Sequence, residues 1–141
     1  MSQLEQSRNP APGPPPAPIL IVEDDPFVLQ MMVRIVESLG YNVAPATDGP
    51  QALDLLRGGG FGLVLLDRTL PSMSGVEVLR ALKQDPSTAA IPVILVSGMV
   101  DDDSVAEGLE AGAEECLPKP FARELLRQRI EAHLERGGAG G

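Results

Sequence analysis

Three apolar runs, each followed at once by a polar residue, constrain the fold of this chain more than any other feature. Residues 19–22, 63–66 and 93–96 are followed by Glu23, Asp67 and Ser97. An unbroken apolar run of this length is typical of a parallel strand that is buried on both faces. Because the carboxyl ends of parallel strands meet at one edge of a sheet, these groups should converge there with Asp24 and Lys119. A cation and a phosphoryl group fit such a pocket.

Strand and helix signals alternate five times along the chain. Helical periodicity and capping residues predict helices over residues 26–39, 48–57, 76–85 and 121–136, and another after the acidic run 101–103. Weaker strand signals lie at 41–44 and 116–117. This alternation requires parallel strands joined by right-handed crossovers. The predicted fold class is therefore α/β, with a single doubly wound five-stranded parallel sheet.

Side-chain periodicity also predicts which faces of the last two helices are buried. Val105 and Leu109 should pack inward, as should the apolar positions of the closing helix at Leu125, Leu126, Ile130 and Leu134. Its arginines at 123, 127, 129 and 136 should point to water. His133 is far in sequence from every candidate acid, and we expect it to be exposed on that helix rather than functional.

The two ends of the chain differ in composition from its centre. Residues 1–17 are rich in proline and should form a disordered, extended arm. Residues 18–136 have globular composition and should form one domain. Residues 137–141 are mostly glycine, and we expect either a flexible tail or a truncated linker.

Charge and cysteine content exclude several classes of function. The formal charge of −9 argues against nucleic acid binding by this domain, because neutralising phosphates needs clustered Lys and Arg. Cys116 is the only cysteine, so no intrachain disulfide can form and a cytoplasmic location is expected. We interpret Cys116 as a small buried apolar residue of a strand. No apolar run is long enough to cross a membrane or to act as a secretory signal.

Four motifs resemble those of one known family. They begin at positions 19 (ILIVEDDP), 66 (LDRTLPSMSG), 92 (PVILVSG) and 111 (AGAEECLPKPF). In this order and at these separations they make the chain similar, over roughly residues 18–136, to the receiver domain of two-component response regulators. The resemblance implies a (βα)5 flavodoxin-like fold with strand order 2-1-3-4-5 and a site at its topological switch point.

The resemblance also implies a phosphoacceptor. Asp67 would take a phosphoryl group from the phosphohistidine of a histidine kinase or phosphotransfer protein, in a magnesium-dependent reaction. A cluster of carboxylates favours such a hard cation, and the implied direct ligands are Asp24, Asp67 and the carbonyl oxygen of Thr69. Glu23 would act largely through water. Asp25 is expected outside this set, as an acid at a helix start.

Two further residues have implied roles at the phosphoryl group. Lys119 would supply positive charge, and the family places a cis peptide before the following Pro120. Ser97 would donate its hydroxyl to a phosphoryl oxygen and so move the loop behind it. The change would reach the surface of the fourth helix, fifth strand and fifth helix, which would meet a downstream effector. The sequence leaves open whether modification also drives homodimerisation.

Some positions depart from the family pattern or leave alternatives open. Many receivers have an aromatic residue where this chain has Cys116, so we expect the signal to travel mainly by movement of the backbone after Ser97. Arg68 could reach the acids or a kinase, and a solvent-facing arginine paired with a loop acid is as good an interpretation. Thr69 and Met99 are candidates for tuning the lifetime of the phosphoryl group.

The predicted module is not an enzyme with a separate substrate, since it would assist only its own phosphorylation and dephosphorylation. Two alternatives remain. One is an interaction module with a degenerate, phosphorylation-independent site, which Cys116 keeps open. The other is a magnesium-dependent phosphohydrolase with an aspartyl nucleophile, a chemistry that usually has a second acid where this chain has Thr69.

Overall fold

The computed structural model describes residues 17–98, 101–119 and 122–140, with the backbone alone for residues 135–140. In these ranges strands and helices alternate. The strands are Ile19–Val22 (β1), Val43–Ala46 (β2), Leu63–Asp67 (β3), Val93–Ser97 (β4) and Glu115–Pro118 (β5). The helices are Pro26–Ser38 (α1), Gly49–Arg57 (α2), Gly75–Gln84 (α3), Asp102–Ala111 (α4) and Arg123–Gly140 (α5).

The five strands form one parallel sheet in the order β2-β1-β3-β4-β5. The predicted fold class and strand order are both confirmed. Strand β2 begins two residues later than predicted, because the chain first turns at the end of α1. In that turn Gly40 has a φ of 99° and the Tyr41 amide donates to the Val36 carbonyl at 3.4 Å.

Alternate side chains of the central strands pack on opposite faces of the sheet, as expected for extended chains. Helices α2, α3 and α4 cover one face, and α1 and α5 cover the other. Every residue of β1, β3 and β4 is buried. These three strands therefore form a rigid support for the residues at their carboxyl ends.

Side-chain caps fix where the helices near the acidic edge begin. Asp25 accepts from the amides of Phe27 and Val28, and Asp101 accepts from the amide of Ser104. Asp48 caps α2 in the same way, as predicted. Each cap satisfies an otherwise unpaired amide and holds the loop before the helix in one conformation.

Two predictions about buried faces are wrong. Leu109 is 46% exposed, because the face of α4 against the sheet is made by Gly108 and Ala111. His133 is buried rather than exposed, since the fold of α5 brings the His133 Nε2 atom to 2.7 Å from Oε2 of Glu115, the first residue of β5. Val105 is half-buried.

Helix α5 otherwise buries the predicted residues. Leu126 and Ile130 are fully buried, and Leu125 and Leu134 pack against them. Its arginines are less solvated than predicted, because Arg127 forms ion pairs with Glu124 and Glu131 and Arg129 pairs with Glu115 at 3.0 Å. The helix extends to Gly140, beyond its predicted end at residue 136.

Some predictions lie outside the described residues, namely those on the proline-rich arm up to residue 16, on Met99, on Pro120 and on Gly141. Among the helices that the structure describes, none combines the length and the apolar character needed to cross a bilayer.

Candidate functional site

The residues singled out in the sequence lie together at the carboxyl edge of the sheet. Asp67 and Ser97 are the last residues of β3 and β4, Glu23 and Asp24 follow β1, and Lys119 follows β5. Backbone hydrogen bonds extend the sheet to these positions, since the Glu23 amide donates to Ala46 and the Lys119 amide to Ser97. The site is thus built on strand ends that cannot move independently.

Three carboxylates form a compact cluster. Glu23, Asp24 and Asp67 each contribute an oxygen atom, and these atoms lie within 4.8 Å of one another. Glu23 and Asp67 are buried, with 1% and 5% of their surface exposed, whereas Asp24 is open to solvent. Buried carboxylates at this spacing need positive charge nearby, and an all-oxygen donor set suits a hard divalent cation such as Mg²⁺. The residues therefore fit the metal that the sequence predicted.

Lys119 supplies positive charge to two of these acids. Its Nζ atom lies 2.7 Å from Glu23 Oε1 and 3.2 Å from Asp67 Oδ1. Partial burial by itself lowers the pKa of Lys119, but hydrogen bonds and charge attraction from Glu23 and Asp67 outweigh that effect and raise it. Lys119 is therefore a cation at neutral pH, held between the two buried carboxylates.

Both oxygens of Glu23 are engaged. Oε1 contacts Lys119, and Oε2 accepts a hydrogen bond from the Asp25 amide at 3.1 Å. Burial is the main cause that raises the pKa of Glu23, and the charge of Asp67 adds to it, while Lys119 and the Asp25 amide act in the opposite direction. This carboxylate is fixed in orientation, and its indirect role beside a metal stays a prediction.

Asp67 has a second partner in the loop that follows it. The Thr69 amide donates to Asp67 Oδ1 at 3.3 Å. The predicted ligand role of the Thr69 carbonyl stays a prediction. Ser97 is 4% exposed and stands one residue beyond Val96, the register partner of Asp67. It therefore lies at the same edge of the sheet as Asp67, and its role as a hydroxyl donor stays a prediction.

The loop from β3 to α3 is held by a close backbone contact. Gly75 donates its amide to the Arg68 carbonyl at 2.7 Å, and a Cβ atom on Gly75 would lie 2.3 Å from the Asp67 carbonyl oxygen. Only glycine allows this approach. Ser74 and Glu77 then form a reciprocal capping box that starts α3.

Arg68 does not face solvent, so the solvent-facing interpretation is wrong. It is 8% exposed and reaches α4, where it donates to the Ser104 carbonyl and pairs with Glu107. The sequence could not indicate this contact, because Glu107 is 39 residues away and the packing of α4 had to be known.

Cys116 lies in β5, as predicted, but it is half-buried rather than fully buried. Its Sγ atom is 4.0 Å from the Val105 carbonyl of α4. Burial raises the pKa of the Cys116 thiol above its ordinary value, and the charge of Arg68 offsets part of that shift. The side chain is thus a weakly reactive packing group between β5 and α4.

An exposed apolar patch beside the acids was not predicted. Phe27 is 83% exposed and Met31, four residues later on α1, is 45% exposed; we call this pair the α1 patch. Next to α1 is a cleft of about 400 Å³ lined by Asp24, Pro26, Leu29, Gln30, Val33, Pro45 and Thr47. Asp24, which belongs to the acidic cluster, therefore also lines this cleft. The i,i+4 spacing of two large apolar residues was the available sequence signal.

Comparison with known proteins identifies the family. Residues 19–131 match the model of the response regulator receiver domain. The chain is 37% identical over 118 residues to the DNA-binding response regulator MtrA of Mycolicibacterium smegmatis. This alignment covers 84% of this chain and 50% of MtrA. It is 34% identical over 119 residues to the chemotaxis protein CheY of Pseudomonas aeruginosa, covering 84% of this chain and 96% of CheY. The chain spans about half the length of the first of these relatives.

One of the similar solved structures holds a magnesium ion. The receiver domain of a sensor histidine kinase from Pseudomonas aeruginosa, with a magnesium ion coordinated in its active site cleft, superposes with a TM-score of 0.79 at 27% identity. The superposition covers 84% of this chain and 98% of that domain. The family match, the strand order of the sheet and the acidic cluster at its edge all indicate the same family. This chain belongs to the response regulator receiver domain family, the signalling modules of two-component systems.

Proposed function

We propose that this domain accepts a phosphoryl group on Asp67 from the phosphohistidine of a histidine kinase or phosphotransfer protein. A carboxylate oxygen of Asp67 forms the new bond to phosphorus, the phosphorus–nitrogen bond breaks, and the imidazole nitrogen takes the electron pair. The observation that carries the proposal is the buried Asp67 carboxylate, which lies within 3.2 Å of Lys119 and beside two more acids.

The chain's own residues position the reacting groups. Lys119 and the Thr69 amide hold Asp67 Oδ1, which fixes the orientation of the nucleophile. Lys119 also supplies positive potential where negative charge develops on the phosphoryl oxygens. Ser97, at the end of the neighbouring strand, is the proposed hydroxyl donor to the transferred group.

Magnesium is part of the proposal. Asp24 and Asp67 are the proposed direct side-chain ligands, together with the Thr69 carbonyl, and Glu23 is proposed to act through water. When bound, Mg²⁺ supplies positive charge that offsets the repulsion between the carboxylates and the incoming phosphoryl group.

The α1 patch is the proposed contact for the phosphodonor protein. A partner that brings a phosphohistidine to Asp67 must cover the surface beside the acids, and Phe27 and Met31 expose apolar area there. The output partner is proposed to be an effector that recognises the surface of α4, β5 and α5, with phosphorylation-dependent homodimerisation as a second way to use that surface. A cytoplasmic location, where kinases have access to ATP, belongs to the same proposal.

An intact-mass experiment tests the proposed function. The protein is incubated with Mg²⁺ and a small phosphodonor such as acetyl phosphate, and is weighed after defined times. We expect a labile adduct of one phosphoryl group in the wild type and in Asp25→Asn, which keeps the α1 cap, but no adduct in Asp67→Asn.

The same measurement separates the alternatives. Release of free phosphate without any adduct would favour the phosphohydrolase. An unchanged mass and no phosphate release would favour the degenerate interaction module, whose basis is the replacement of the usual aromatic residue by Cys116.

A further inference from the structure

Arg68, the residue directly after Asp67, ties the end of β3 to α4. Its Nη1 atom donates to the Ser104 carbonyl oxygen at 2.8 Å, and its Nη2 atom pairs with Glu107. The Arg68 side chain is 9% exposed, whereas that of Glu107 is 50% exposed. A buried guanidinium therefore depends on a partly solvated acid of α4 for its charge partner.

Helix α4 lies unusually close to the sheet where Arg68 reaches it. A Cβ atom on Gly108 would lie 2.7 Å from Leu95 Cδ1 and 2.9 Å from Cys116 Sγ. The same position is 3.6 Å from Arg68 Nη1. The small residues Gly108 and Cys116 thus permit the contact, so the position of α4 and the pairing of Arg68 depend on each other.

The Arg68–Glu107 pair lies on a cleft that reaches the loop after Asp67. This cleft of about 420 Å³ is lined by both residues and by Thr69. Thr69 is the residue whose amide donates to Asp67 Oδ1. The Thr69 contact and the peptide bond between residues 67 and 68 therefore connect Asp67 to a guanidinium that already has an anionic partner.

We propose that Arg68 is a positioning residue that couples α4 to the charge on Asp67, because an anion on Asp67 competes with Glu107 for its guanidinium. This inference rests on the proposed function. A phosphoryl group brings up to about two negative charges and strong acceptor oxygens to the site. The phosphoryl group weakens the ion pair between Arg68 and Glu107. The amides of α4 then exchange faster, because the helix is less firmly held against the sheet. Linkage makes the effect reciprocal, so loss of Glu107 strengthens the attraction of Arg68 for an anion on Asp67.

The test uses beryllofluoride with Mg²⁺, an anionic mimic of the phosphoryl group. Its affinity is measured by calorimetry, and hydrogen exchange of the α4 amides is measured with and without it. Glu107→Gln removes the competing charge, and Glu110→Gln is the matched control, since it removes the same charge from an exposed position of the same helix.

We expect Glu107→Gln to bind beryllofluoride about fivefold more tightly than the wild type, and Glu110→Gln to match the wild type. Beryllofluoride should speed exchange in α4 of the wild type. In Glu107→Gln the exchange should already be fast and should change little. Arg68→Lys should retain the affinity for beryllofluoride, because it keeps the positive charge. It should speed hydrogen exchange in α4, because lysine cannot contact the Ser104 carbonyl and Glu107 at the same time.

Two results would overturn the inference in different ways. Equal or weaker binding by Glu107→Gln, or an α4 exchange rate that beryllofluoride leaves unchanged in the wild type, removes the coupling while the proposed function stands. Failure of the wild type to bind beryllofluoride removes the proposed function, and the coupling with it.

Discussion

Burial determines how the individual side chains of this site behave. Glu23 is almost completely enclosed, and its carboxylate is tolerated because Lys119 and the Asp25 amide each contact one oxygen. Arg68 is enclosed to a similar degree and depends on α4. Asp24 alone of the three acids is exposed. The cluster is therefore fixed on its inner side and open to a cation on its outer side.

The reactivity of Cys116 tests how burial affects a single side chain. Because its thiol pKa is raised in the folded protein, less thiolate is present at pH 8 than in the unfolded chain. We expect alkylation by iodoacetamide to be at least several-fold slower in native protein than in urea-denatured protein, with the difference narrowing at higher pH. Mass spectrometry over time measures both rates. Equal rates in the two states would mean that the fold neither shields the thiol from the reagent nor raises its pKa.

At the scale of single elements, the loop from β3 to α3 is the most constrained part of the site. It leaves the sheet at Asp67, passes Thr69 and is fixed by the contact between Gly75 and the Asp67 carbonyl before Ser74 and Glu77 start α3. The loop therefore couples the start of a helix to the orientation of Asp67.

Gly75→Ala tests this constraint. The added methyl group must displace the Asp67 carbonyl or the Arg68 backbone, which should reduce the free energy of unfolding by about 1–3 kcal/mol. The rate of adduct formation with acetyl phosphate should fall with it. Gly98→Ala is the matched control for the free energy of unfolding, because a Cβ atom there meets nothing within 4 Å. Urea denaturation and intact mass give the two readouts, and equal behaviour of the two variants would show that the contact is dispensable.

For the whole molecule, the parts that the sequence predicted are those set by local pattern. The apolar runs of β1, β3 and β4 and the cap at Asp48 depend on neighbouring residues only, and the runs place the acids at one edge. The contacts of Arg68 and His133 depend on how α4 and α5 pack, with partners far away in sequence. Leu109 was mispredicted because Gly108 lets the helix approach the sheet without a large side chain.

At the proposed site, Mg²⁺ would bind the folded arrangement of the acids and not the unfolded chain, so it should stabilise the whole domain. At 100 times its dissociation constant the gain is about 2.7 kcal/mol. We expect the melting temperature to rise with Mg²⁺ in the wild type and in Asp25→Asn, but not in Asp24→Asn. Thermal unfolding with and without EDTA measures this effect. A rise that persists in Asp24→Asn would place the ion elsewhere.

Chemical trapping tests whether Asp67 itself becomes an acyl phosphate. Borohydride reduces an aspartyl phosphate to homoserine, which tandem mass spectrometry can locate in the peptide that contains residues 63–67. After incubation with acetyl phosphate and Mg²⁺, we expect homoserine at position 67 and at no other acid. Homoserine at Asp24 or Glu23, or unreduced aspartate at 67 in protein that has gained a phosphoryl group, would contradict it.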